Sequence, residues 1–216
     1  MPGKFITFEG IDGSGKTTQL QMLASRLQIE GFDVLTTMEP GGTPLGRRLR
    51  AAFLETEETV APLAELLLFA ADRAQHVDFL VKPAIAEGKI IISDRYADAT
   101  FAYQGAGRGF SEATVNQVIA LATGNLKPDL TLFFDLPIED ALERTTNRST
   151  DGAQKNRMDK ETAEFYKRVR RAYLTIAERE PARFRVINAI GSTEEVHARV
   201  AEIVTQFLNG KRKTEN

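Results

Sequence analysis

Apolar positions along the chain fall into two kinds of run. Short β-branched and aromatic stretches recur at residues 5–8, 34–37, 90–93, 130–134 and 185–187, the composition of buried strands. Between and after them lie longer stretches with apolar residues at helical spacing, at 16–30, 44–54, 61–87, 112–123, 138–144, 160–180 and 193–208. Many of these open on Ser, Thr, Asp or Pro, which satisfy or do without the free N–H groups of a first helical turn. Strand alternating with helix predicts an α/β fold, a five-stranded parallel sheet wrapped by helices, because parallel neighbours need a crossover between them. Neither an internal repeat nor a linker divides the chain, so one domain is expected over residues 1–216. Residues 145–158 stand apart: they are polar, contain Gly152 and lack apolar periodicity, and they read as a mobile lid.

In the long helical stretch 61–87, Leu63, Leu67, Ala70, Ala74, Val77, Val81 and Ile85 share one stripe and are the expected core face. Phe69, Arg73 and His76 share a second face, made of an aromatic plate, a cation and an imidazole. That face suits a nucleobase; a Phe flanking the core and a solvated Arg are the plain alternatives, and His76 is read as structural.

Composition narrows the classes. Without cysteine, disulfides and thiolate metal sites are excluded, and two histidines leave little for a protein-only metal centre. The start Met1-Pro2-Gly3-Lys4-Phe5 has no apolar signal stretch, and no apolar run approaches the ~18 residues of a membrane span. A cytoplasmic protein with no membrane partner is therefore expected. With 28 basic against 30 acidic residues there is no overall charge for nucleic acid, and Lys211-Arg212-Lys213 reads as a solvated end.

The strongest chemical signal is Gly10-Ile11-Asp12-Gly13-Ser14-Gly15-Lys16-Thr17, which matches G-x-x-x-x-G-K-[ST] between a predicted strand and a predicted helix. Glycines let backbone N–H groups curl round an anion, the helix start adds partial positive charge, Lys16 reaches the β/γ-phosphates, and Thr17 offers a hydroxyl to Mg²⁺. Residues Gly10, Ile11, Asp12, Gly13, Ser14, Gly15, Lys16, Thr17 and Thr18 are thus the predicted ATP-binding loop. The strand at 90–93 runs into Asp94-Arg95-Tyr96, not into the Asp-Glu of a hydrolysing ATPase, and Asn125-Leu126-Lys127-Pro128-Asp129 precedes a strand, the wrong place for a guanine reader. Asp94 is placed near metal and phosphates, and Arg95 offers its fork to an acceptor phosphate. Asp135, just before Pro137 and a helix, is read as a structural cap.

Six segments in order, Phe8-Glu9-Gly10, Glu39-Pro40-Gly41-Gly42-Thr43, Leu68-Phe69-Ala70-Ala71-Asp72-Arg73, Ser93-Asp94-Arg95-Tyr96, Ala102-Tyr103-Gln104-Gly105 and Pro128-Asp129-Leu130-Thr131, together resemble the bacterial thymidylate kinases over nearly the whole chain. The resemblance implies the P-loop kinase fold and the reaction ATP + dTMP → ADP + dTDP with Mg²⁺, in a homodimer. It implies that Phe69 stacks on thymine, Arg73 bonds its carbonyl edge, Thr100 and Gln104 help read the pyrimidine, and Tyr103 disfavours a ribose 2′-OH. It also implies that Asp12 contacts the 3′-OH, that Arg50 and Arg95 hold the acceptor phosphate, and that Glu9 and Asp94 are outer partners of the metal. Residues 187–189 resemble the segment flanking the adenine. Two departures follow. Met38 stands where many relatives have an arginine, and Gly13 stands where some carry a P-loop arginine, which moves the catalytic cation to the lid, to Arg148 or Arg157. Arg47 and Arg48, without such support, are expected to face solvent. The alternatives are another deoxynucleotide or nucleoside kinase, and a nucleotide-binding regulator without turnover.

Overall fold

The computed structural model describes residues 3–150 and 157–212, with the backbone alone at 147–150, 159–160 and 211–212. Five strands form one wholly parallel sheet in the order β2-β3-β1-β4-β5: β1 (Lys4–Glu9), β2 (Val34–Met38), β3 (Ile90–Asp94), β4 (Leu130–Asp135) and β5 (Phe184–Asn188). The order reverses at central β1, so the chain leaves on one side for β2 and β3 and on the other for β4 and β5, opening a crevice at the strand ends. Nine α-helices accompany them among the described residues: α1 (Lys16–Ile29), α2 (Pro44–Leu54), α3 (Pro62–His76), α4 (Lys82–Ala86), α5 (Ala97–Thr100), α6 (Glu112–Thr123), α7 (Ile138–Thr150), α8 (Ala163–Arg179) and α9 (Thr193–Arg212). No helix among the described residues is long and apolar enough to cross a membrane.

Side chains alternate across β1, β3 and β4. Ile6, Phe8, Ile90, Ile92, Leu130, Leu132 and Phe134 point to one face and bury there with Leu20, Leu23 and Leu27 of α1. The other face carries Phe5 and Ile91 but also Thr7, Glu9, Ser93 and Thr131, all fully buried. Those polar groups are satisfied within the protein: Thr7 and Thr131 share a hydroxyl hydrogen bond of 2.8 Å, and Arg183 clasps Asp98 through both terminal nitrogens, each at 2.8 Å, beside Thr131.

Three elements differ from the pattern of the sequence. The stretch 61–87 is α3, a π-helical turn Val77–Val81 and α4, and only its second half buries the expected stripe, at Val77 and Val81, with Ile85 partly buried. In the first half Leu63 and Leu67 are 55% and 52% exposed, while Glu65, Asp72, Arg73 and His76 are buried. The inward face is polar there because it builds a site whose charges are paired. Second, α7 runs six residues past Arg144, where a lid loop was expected; Thr145 and Thr146 donate their hydroxyls to the Leu142 carbonyl, and no Gly or Pro interrupts before Gly152. Third, α5 continues in wide π-helical turns over Phe101–Gly107. Asp135 has a structural role as expected, but through a two-pronged pair with Arg170.

The turn after β2, which holds a cis Glu39-Pro40 bond, is fastened to α3 by buried charges. Glu39 accepts from Arg73 Nε (2.8 Å) and lies 2.6 Å from His76 Nδ1, whose other nitrogen meets the Thr37 hydroxyl at 2.8 Å. Asp72 accepts the Gly41 N–H at 3.1 Å, and a Cβ at Gly46 would collide with its carboxylate. Burial, then the charge of Glu39, pushes the Asp72 carboxyl up to about 6, against the pull of the Gly41 N–H, His76 and Arg73. Folded protein therefore keeps a proton that the unfolded chain releases, and this stabilisation is complete below the ordinary aspartate pKa and lost as pH climbs through about 6. Asp72→Asn keeps an acceptor but does not titrate, so its stability relative to the parent should rise by on the order of 2 kcal/mol between about pH 4 and about pH 7 in urea titrations. A pH-independent difference would show that Asp72 ionises normally in the fold.

Candidate active site

The loop between β1 and α1 sits where the sheet order reverses. Gly13 has φ 85°, and a side chain there would strike the Ala141 carbonyl, so the loop closes only on glycine. Gly15, at φ 89°, turns the chain into α1 and leaves its first N–H groups unpaired by any side-chain cap. Lys16 is buried, with Nζ bonded to the Ile11 carbonyl at 3.0 Å, curled back over the loop. Burial, then the neighbouring Arg95 charge, draws its pKa below the ordinary lysine range. Ser14 Oγ is buried without a partner, and Thr18 is exposed on the first turn of α1. Thr17 donates its hydroxyl to Asp94 Oδ2 at 2.8 Å.

The pairing of Phe8 with Asp94 between β1 and β3 sets Arg95 beside the loop. Arg95 has φ 73°, a conformation that non-glycine residues adopt at a cost of about 1–3 kcal/mol, and its N–H is held by the Phe8 carbonyl at 2.9 Å. Its guanidinium pairs with Asp12 at 2.8 Å and lies over the Tyr103 ring, 5.0 Å from its centre.

Beside this pair opens a cleft whose lining includes all eight residues predicted to hold the acceptor: Asp12, Arg50, Phe69, Arg73, Arg95, Thr100, Tyr103 and Gln104. Phe69 meets Phe53 edge to face at 4.8 Å, which fixes its ring as one wall. Arg50 is held by the Pro40 carbonyl at 3.0 Å. Arg73 donates to Glu39, to the Thr100 hydroxyl (2.7 Å) and to the Tyr96 carbonyl (2.9 Å). Tyr103 is buried with its hydroxyl unpartnered, and burial pushes that hydroxyl's pKa well up, so it stays protonated. The only arginines in the lining are Arg50, Arg73 and Arg95; Met38 is half-exposed on edge strand β2, and no further arginine takes the missing cation's place in the cleft among the described residues. Arg47 and Arg48 are exposed, as expected.

Of the two expected outer metal partners, Asp94 reaches the Thr17 hydroxyl, whereas Glu9 is turned inward. It is fully buried, with Oε1 accepting the Tyr96 N–H and Oε2 the Tyr173 hydroxyl, both at 2.8 Å. Burial, then the charge of Asp98, pushes the Glu9 carboxyl up to about 8. Thr17 and Asp94 supply hard oxygens of the kind Mg²⁺ takes, and no three acidic or imidazole side chains cluster to hold a metal by themselves among the described residues. That fits a cation completed by substrate phosphates and water.

The two lid arginines part company. Arg157 donates to Glu65 and to the Phe53 carbonyl (3.2 Å), on the acceptor side, and Met158 next to it lines the cleft. The side chain of Arg148 lies outside the described residues, as does the rest of the lid at 151–156. At the far end of the sheet Asn188 closes β5, where its Oδ1 accepts the Ile190 N–H at 3.0 Å.

Sequence reasoning passed over Glu39, Glu65, Arg108 and Tyr173, which brace the site from behind. A signal for Glu65 existed: it is the one charge between Pro62 and Ala71, and it lies four residues before Phe69 and eight before Arg73, on the same helical face.

The chain is similar to known proteins over almost its full length. A family model described as thymidylate kinase matches residues 8–200. A thymidylate kinase of Chlorobium luteolum is 44% identical over 98% of this chain and 99% of its own, and one of Halothermothrix orenii is 46% identical over 93% and 95%. The crystal structure of thymidylate kinase from Ehrlichia chaffeensis superposes with a TM-score of 0.76 at 36% identity, covering 94% of this chain and 99% of that one. With the phosphate loop, the Asp-Arg turn and the acceptor cleft assembled on one parallel sheet, the chain belongs to the thymidylate kinase family.

Proposed function

We propose that the chain transfers the γ-phosphoryl group of ATP directly to dTMP, giving ADP and dTDP, with the acceptor in the cleft and the donor on the phosphate loop. What carries this reading is the convergence of eight acceptor residues, from the loop, α2, α3, the end of β3 and the helical stretch after it, on one cleft beside Lys16. The attacking atom is an oxygen of the acceptor phosphate, already largely dianionic at neutral pH because its second pKa is about 6. No strong base is required. The protein's task is to hold two polyanions in line, neutralise charge on the moving group and keep water out.

Arg95 and Arg50 suit the acceptor phosphate, Phe69 supplies a plate for the base, Arg73 and Thr100 its polar partners, and Asp12 the sugar hydroxyl. The Tyr103 ring fills the space a 2′-OH would need. Thr17 and Asp94 would hold Mg²⁺, which when bound offsets phosphate charge. Lys16 is curled onto the Ile11 carbonyl and has only to exchange that bond for a phosphate oxygen. The lid, about residues 145–158 of a single domain, covers the phosphates, with Arg148 as the cation left for them because Arg157 is committed to Glu65.

A cytoplasmic homodimer completes the proposal. Leu63 and Leu67 lie one turn apart on the outward side of α3, and α6, which packs beside α3, leaves Leu121 85% exposed. The net charge of −2 gives no electrostatic basis for nucleic acid as a partner.

In a coupled assay dTMP should be turned over, dUMP less well because it lacks one methyl, worth about 1–3 kcal/mol, and UMP and dCMP far less. Parity of dCMP or UMP with dTMP would refute the acceptor assignment. Lys16→Met should lower kcat by about 100-fold or more while leaving the circular dichroism spectrum intact; near-normal turnover would remove the phosphate loop from the mechanism. Leu67→Arg should convert the dimer to a folded monomer in sedimentation experiments, and an unchanged mass would move the interface elsewhere.

A further inference from the structure

Glu65 lies on the first turn of α3, fully buried, and its two oxygens collect donors from three residues on two other segments of the chain. Oε1 accepts from Gln104 Nε2 at 2.8 Å and from Arg108 Nε at 3.0 Å; Oε2 accepts from Arg108 at 3.0 Å and from Arg157. Burial raises the pKa of this carboxyl, yet the bonds from Arg108, Gln104 and Arg157 outweigh it and hold the group below the usual carboxylate range. It is an anion at neutral pH, and an anionic carboxylate only accepts hydrogen bonds.

That fact settles the orientation of the Gln104 amide, which is otherwise ambiguous between its two ends. The NH₂ end must face Glu65, so the carbonyl end is turned the other way. Gln104 lines the acceptor cleft, and its Oε1 has no protein partner among the described residues. We propose that Glu65 is a specificity-determining positioning residue: by holding the NH₂ group of Gln104 it presents the Gln104 carbonyl to the acceptor and so selects a pyrimidine that carries a hydrogen on N3.

The inference rests on the acceptor reading above. Thymine and uracil offer N3–H to a carbonyl. Cytosine has a lone pair at N3, which a carbonyl repels. An unrestrained glutamine would rotate its amide and donate to cytosine, but here rotation would set carbonyl against carboxylate in a buried place, where mismatched polar groups are costly. Arg108, itself paired with Glu161 at 2.6 Å, and Arg157 supply the positive charge that keeps Glu65 ionised without competing for Gln104. One carboxylate thereby joins base selection to the C-terminal end of the lid.

The test is kcat/KM for dTMP and dCMP on the parent, Glu65→Gln, Gln104→Ala and the double variant. Glutamine at position 65 can donate as well as accept, so the dTMP/dCMP ratio should fall by about 10-fold or more. The change should appear mainly in KM for the nucleotide, with KM for ATP unaltered, and should vanish in the Gln104→Ala background. Loss of activity toward both nucleotides with the ratio kept would mean that Glu65 merely braces the fold, and an equal fall of the ratio without Gln104 would mean that it acts by another route; either result overturns the proposal. Failure of the parent to use dTMP would instead refute the acceptor reading. Should Glu65→Gln not fold, the bound nucleotide decides: the thymine imino proton should be protected from water exchange in the parent and lose that protection in Gln104→Ala, and equal exchange in both would overturn the proposal.

Discussion

The buried guanidinium of Arg73 holds the acceptor side of this protein together. It reaches from α3 to Glu39 after β2, to the Tyr96 carbonyl after β3 and to the Thr100 hydroxyl at the end of α5. Those segments are distant in sequence, and the one guanidinium ties all of them to α3. A planar fork with five fixed donors binds its three acceptors in a rigid, pre-organised geometry, whereas a lysine ammonium is a point charge on a flexible stem. Removing one partner of such a buried pair leaves a charge unmatched, at a cost of about 3–5 kcal/mol, so the residues around Arg73 stand or fall as a group.

The same logic continues beneath the cleft. Glu9 braces the Tyr96 N–H and the Tyr173 hydroxyl, and Glu65 gathers Gln104, Arg108 and Arg157. The groups predicted to touch substrate are therefore backed by buried carboxyl groups that do not touch it. For a phosphotransferase this division has a physical purpose: catalysis rests on cations and dipoles that are already aimed, and side chains in place before substrate arrives need no reorganisation when it does.

Much of this architecture was legible beforehand, and the exceptions share a cause. The five strands and the phosphate loop stood out because period-2 and period-3.6 patterns and a glycine-rich motif are local properties. The first half of the stretch 61–87 was misread because periodicity marks the apolar face, and there the apolar face, with Leu63 and Leu67, looks outward while Glu65, Asp72, Arg73 and His76 look in. The acceptor residues are assigned through resemblance; on helical geometry alone the plain readings of Phe69 and Arg73 are the better ones. Glu65 and Arg108 were passed over because a buried carboxylate is identified by its partners, and these lie 39 to 92 residues apart along the chain.

The fold class, the phosphate loop and the family can be read from the amino-acid order, since each depends on residue type and spacing within a short window or on segments that keep their order along the chain. Tertiary contacts were needed to show which side of α3 is inside, that Glu9 turns inward while Asp94 meets Thr17, and that Arg157 and the Gln104 NH₂ group are bound to Glu65. Each of those depends on which charges meet across the sheet end, and a buried charge takes its orientation from the partner that neutralises it, wherever in the chain that partner lies.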